Sequence, residues 1–142
     1  MKAPLAIGPA IVLAIAACML APAVQAAACP GAAEGYARLA TPEAEIAYRW
    51  EPGTLKVGQF FKLDVVACRL PGAEAVQAII IDAQMPAHGH GMNYRPTAAQ
   101  TGAGSFRFSG LMLHMPGRWR LTVDLLQGER RTRLAHDIEL RP

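Results

Sequence analysis

Two imidazoles and two thioethers fall within eight residues, Met85-Pro86-Ala87-His88-Gly89-His90-Gly91-Met92. Pro86 and the two glycines oppose a regular helix or strand, so the run reads as a loop. A second donor pair, His114-Met115, stands beside Pro116-Gly117 and marks another turn. Thioether sulfur favours Cu(I), while imidazole suits either copper oxidation state and also zinc. The expected ligands are therefore His88, His90, Met92, His114 and Met115, holding copper, with Cu(I) favoured. In an extended loop His88, His90 and Met92 share one side, as alternate residues do. Met85 precedes a proline and is expected to pack beneath the loop. Asp82 is the one acid nearby, placed to orient a histidine from behind.

Other chemistries lack their parts. The helical H-E-x-x-H zinc motif is absent, and no cluster of acids offers a calcium cage. Three histidines could hold zinc, yet no general base stands beside them. Ser105 and Ser109 have neither a neighbouring histidine nor a nucleophile-elbow context. The chain thus reads as a binding protein and not an enzyme. Its formal charge is +3, with basic residues dispersed apart from Arg130, Arg131 and Arg133. That pattern gives no nucleic-acid footprint. A polar turn carrying the same histidines is the competing account. It makes the chain a metal-independent periplasmic interaction module, offering a loop-rich end or a free strand edge to a partner.

The start of the chain sets the compartment. Lys2 precedes an apolar run over residues 5–20, interrupted by Gly8 and Pro9, and small residues follow. These are the parts of a secretory signal peptide, expected over residues 1–26. The mature protein is then soluble in the periplasm. Ile15-Ala16-Ala17-Cys18 resembles a lipoprotein cleavage box, so lipid anchoring through Cys18 is the alternative. Residues 1–26 hold Lys2 and no acid, so their removal lowers the formal charge to +2. Cys29 and Cys68 remain. In an oxidising compartment they can pair; otherwise Cys68 is a buried thiol and Cys29 is unattached. Neither belongs to a close Cys-x-x-Cys pair.

The elements that must position the donors are strands. Residues 27–44 mix Ala, Gly, Pro and Glu without periodicity and read as a flexible arm. From residue 45 onward alternation dominates. Ile46, Tyr48 and Trp50 share a side before Pro52-Gly53. Phe61, Leu63 and Val65 share a face against Lys62 and Asp64. Residues 76–81 carry three consecutive isoleucines, a strong β signal. Residues 93–98 are expected to pair briefly. Phe106 and Phe108 share a face, and Leu111 and Leu113 resume with opposite parity, which predicts a bulge at Ser109-Gly110. Trp119, Leu121, Val123 and Leu125 alternate cleanly. Gln127-Gly128 predicts a hairpin into Leu134, His136, Ile138 and Leu140. Seven strands separated by turns predict an all-β, immunoglobulin-like antiparallel sandwich over residues 45–142. In that arrangement the loop at residues 85–92, the turn at residues 114–117 and the connection near Pro52 emerge at one end.

Gly58, the strand over residues 76–82, Met85-Pro86 with His88, His90, Gly91 and Met92, and Met115-Pro116-Gly117-Arg118-Trp119 together resemble the YtkA-like domain family. The FixH group is more distantly similar. The likeness covers about residues 45–140. It implies an exported or membrane-tethered β-sandwich associated with copper handling or oxidase assembly. Its partner would be a periplasmic or membrane-bound protein of that kind. The family's characteristic positions fall on His88, His90 and Met92, and on Met115, Gly117 and Trp119. The more common Ala-Gly-Arg-Trp version reads Pro116-Gly117-Arg118-Trp119 here. The combined expectation is a copper carrier or an assembly and homeostasis factor.

Overall fold

The computed structural model describes residue 29 and residues 31–142. The secretory segment over residues 1–26 and Cys18 lie outside the described residues. Nine strands occur among the described residues: β1 (Ala37–Ala40), β2 (Glu45–Glu51), β3 (Phe60–Ala67), β4 (Ala78–Met85), β5 (His90–Gly91), β6 (Thr97–Gly102), β7 (Ser105–Met112), β8 (Gly117–Gln127) and β9 (Arg130–Leu140). They form two sheets, ordered β1-β2-β3-β7-β6 and β5-β4-β8-β9, and every pairing is antiparallel. The protein is an all-β, two-sheet sandwich. No helix among the described residues is long and apolar enough to cross a membrane.

Period-two patterning explains the core. On β4, Ile79, Ile81, Ala83 and Met85 are buried while Ile80, Asp82 and Gln84 are exposed. On β8, Trp119, Leu121, Val123 and Leu125 face the same interior, joined by Leu63 and Val65 of β3 and Phe106 and Phe108 of β7. Each fully buried large apolar side chain contributes roughly 1.5–3 kcal/mol, so these alternating positions carry the fold. The change of parity on β7 is a bulge: Phe61 faces Leu111 and Leu63 faces Phe108, leaving Lys62 opposite both Ser109 and Gly110. Gly110 there has φ 83°. The β8–β9 hairpin closes through Gly128 and Glu129, with Gln127 paired to Arg130. Gly128 takes φ 58°, the left-handed value such a two-residue loop requires of its glycine.

Three elements depart from the expected strands. β1 lies within residues 37–40 of the span predicted as an arm, and all four of its residues pair with β2. Cys29 and Cys68 form a disulfide that fixes the segment ahead of β1. Closing that loop, with a sequence separation of 39, contributes about 4 kcal/mol on the chain-entropy account. β5 is a two-residue strand inside the His/Met run. The strand expected over residues 93–98 begins at Thr97 and runs to Gly102 as β6, because Tyr94 and Pro96 belong to the crossover between sheets.

β3 also breaks strict alternation. Asp64 and Val66 are buried although they face away from the main core. The N-terminal segment covers Val66, while Arg49 and Arg107 bracket Asp64.

Candidate functional site

Antiparallel pairing gathers four connections at one pole: residues 52–59, 86–89, 92–96 and 113–116. The Gly58 amide donates to the Leu113 carbonyl at 2.9 Å, tying two of them together. The His/Met run is a closed hairpin turn. The Met85 carbonyl accepts from the amides of His88 (3.1 Å) and Gly89 (3.0 Å), and the Met92 amide donates to the Ala83 carbonyl at 2.9 Å. Gly89 supplies the positive φ, 64°, that lets the turn close.

The side chains of this run do different things. Met85 is 2 % exposed and belongs to the core. Met92 and Met115 are half-buried and pack against it. His88 and His90 are exposed, with ring centroids 6.3 Å apart. His114 is half-buried and meets the Trp119 ring edge-on at 5.4 Å; its Nδ1 is buried with no hydrogen-bond partner among the described residues. Trp119 Nε1 donates to the Met115 carbonyl at 2.9 Å, which satisfies the buried indole and fixes the turn. Asp82 does not orient a histidine. Its carboxylate accepts from the Ala83 amide at 2.8 Å and from Gln84 Nε2 at 3.4 Å.

The two motifs do touch, and the contact is packing. Gly117 has φ 117°, and a β-carbon there would lie 3.0 Å from Met85 Cε. The methionine methyl fills the space that a side chain at position 117 would need.

The copper expectation is therefore corrected. Among the described residues, one group of three His, Cys, Asp or Glu side chains brings its ligand atoms within 4.8 Å of one another: Cys29, Glu45 and Cys68. Its two sulfurs are joined in the disulfide, so neither is a thiolate available to an ion. His88, His90 and His114 form no such group. The disulfide overturns the copper-carrier function, the metal-binding assignment and the Cu(I) cofactor expected from the sequence. His88, His90, Met92, His114 and Met115 share a pole, where His88 and His90 are exposed and Met92, His114 and Met115 are half-buried.

Two surface features escaped the sequence reading. Phe60 is 57 % exposed and Tyr94 is 45 % exposed, and their rings meet edge-to-face at 5.2 Å. The signal for Phe60 is its place beside Phe61, on the outward parity of β3. The second feature is β6, Thr97-Ala98-Ala99-Gln100-Thr101-Gly102, which ends its sheet with all six residues exposed. It carries no charge, and Tyr94 precedes it by three residues.

No family model matches the chain, and no curated protein matches it. In structure it is similar to a DUF4426 family protein from Pseudomonas aeruginosa PAO1, with a TM-score of 0.51 and 13 % sequence identity. The match covers 76 % of this chain and 96 % of that one. At that identity the likeness shows the fold alone.

Proposed function

We propose that this chain is an exported, non-catalytic and metal-independent interaction module that receives an extended segment of a partner protein along β6. The observation that carries the reading is the uncharged edge over Thr97–Gly102, which has no strand partner on its outer side among the described residues and whose every residue is exposed. An open edge strand presents unpaired backbone donors and acceptors, which a partner strand can complete. The Phe60–Tyr94 pair at the start of that edge supplies an aromatic anchor, the kind of residue that dominates binding energy in interfaces. Sheet order supports an immunoglobulin-like reading of the sandwich. β2-β3-β7-β6 facing β4-β8-β9 has the sequence of strands that constant-type immunoglobulin domains arrange in their two sheets. The signal-like composition of residues 1–26 supports export. The motif likeness to the YtkA-like domain directs the search for a partner toward periplasmic or membrane-bound assembly proteins.

The test places a photo-crosslinker at Ala99 of the full chain in its own exported fraction. A defined partner should be captured through β6, and Ala99→Lys with Thr101→Lys should cut that capture at least tenfold. Equal capture by the lysine variant overturns the reading. Capture of a second copy of this chain replaces the partner protein with self-association.

A further inference from the structure

The outer face of the five-stranded sheet carries a small apolar cluster separate from the main core. Ala47 is 0 % exposed and Val66 is 3 % exposed, although both point away from the sandwich interior. Cys29, Ala32 and Tyr36 cover them. This cover has few fastenings. Arg49 lies over the Tyr36 ring at 5.0 Å. The Ala32 amide bonds within the segment itself, to the Cys29 carbonyl. The covalent tie is the Cys29–Cys68 disulfide.

Arg38 stands beside that tie. Its Nη1 is 2.9 Å from Cys29 Sγ and 3.9 Å from Cys68 Sγ, while Glu45 Oε1 holds it at 2.5 Å. A guanidinium next to sulfur favours thiolate over thiol, and a stabilised thiolate is the better leaving group in disulfide exchange. Access differs between the two sulfurs: Cys29 is half-buried and Cys68 is buried.

We propose that the Cys29–Cys68 disulfide is a reducible latch on the N-terminal cover and a substrate site for a dithiol reductant of the Cys-x-x-Cys class. The reductant's thiolate attacks Cys29 Sγ, the bond to Cys68 breaks, and Cys68 departs as a thiolate within reach of Arg38. The reductant's second thiolate then attacks its own sulfur in the mixed disulfide. Cys29 leaves as a thiolate beside the same guanidinium, and the reductant closes its own disulfide. Two electrons pass from the dithiol to the cystine, and the two protein thiolates take up protons as solution pH dictates. Ahead of β1, Cys29, Ala32 and Tyr36 then rest on the sheet face by noncovalent contacts alone and leave it, uncovering Ala47 and Val66.

The full chain, oxidised, is exposed to dithiothreitol at neutral pH without denaturant. Thiol release, the combined emission of Trp50 and Trp119, and cleavage after Glu34 or Tyr36 are followed together. Reduction should proceed while that emission stays native, and cleavage in the cover should appear only after reduction. Arg38→Ala should slow reduction about three- to tenfold, and Arg38→Lys should restore most of the rate by returning the charge. Cys29→Ser with Cys68→Ser should be cleaved in the cover without reductant. The proposal is overturned by reduction that follows global unfolding, by an unchanged rate in Arg38→Ala, or by a cover that stays protected after reduction.

Discussion

The two sheets end on unlike edges. β9 closes the four-stranded sheet with Arg130, Arg131, Arg133, Asp137 and Glu139 among its eleven residues. β6 closes the five-stranded sheet with no charge at all. On the β9 side the charges are tied down. Asp124 of β8 is buried, and Arg133 grips it through Nε (2.7 Å) and Nη2 (2.9 Å), with Arg131 also donating to it. Arg120 forms a two-point pair with Asp137 at 2.8 and 3.1 Å. β1 of the opposite sheet also approaches β9. A charged edge deters strand addition, whereas an uncharged one admits it. The difference teaches that protection against edge pairing was built on one side of this sandwich and left off the other.

The comparison breaks most severely at Asp124. Asp124→Ala removes the acceptor of two arginines and should cost about 2–3 kcal/mol in urea unfolding, because hydrogen bonds to charged groups are the strong ones. The β9 edge should lose its order while β6 keeps its own; hydrogen exchange on the two strands checks this. A destabilisation below about 0.5 kcal/mol would mean that the arginines on β9 decorate the edge without securing it.

Acid tests the same carboxylate without mutation. Its arginine hydrogen bonds hold Asp124 below the ordinary 3.8, at about 2. A depressed folded value means the stabilisation is complete above pH ~5 and is lost as pH falls through 3.8 toward 2. The loss should reach roughly 2 kcal/mol and be absent from Asp124→Asn. Asp64 is also held low, chiefly by its hydrogen bond to Arg107, so it supplies a background acid sensitivity common to both proteins.

The smallest effects on stability belong to the other side of the molecule. Ala99→Lys with Thr101→Lys should change unfolding free energy by less than about 0.5 kcal/mol, since both residues are exposed. Its whole effect should fall on partner capture. His88→Ala with His90→Ala should likewise leave stability within about 0.5 kcal/mol and leave capture unchanged. A large loss of capture in the histidine variant would move the docking surface from the β6 edge to the loop pole.

Much of the fold was legible because one face of most strands is buried. Trp119, Leu121, Val123 and Leu125 announce β8, and the parity change after Phe108 announces the β7 bulge. β6 was misplaced because neither of its faces is buried, so Thr97-Ala98-Ala99-Gln100 carries no alternation to read. β1 was hidden for a related reason: only Leu39 among its residues is even half-buried, and its partner and its disulfide are set by distant sequence. The copper reading misled more deeply. Donor chemistry is written in residue types, but coordination depends on where side chains point. Met85 packs inward, as its place before Pro86 led one to expect, while Met92 and Met115 also settle against the core and His114 meets Trp119.

The contact between Met85 and Gly117 makes the two motifs a pair matched by volume. One residue must be long so that it can reach across, and the other must lack a side chain so that it can be reached. Bulk gained at position 117 would meet the Met85 methyl and would also strain a backbone held at φ 117°, so shortening position 85 would relieve only the first of these costs. The joint presence of both motifs therefore records how this pole of the sandwich is sealed.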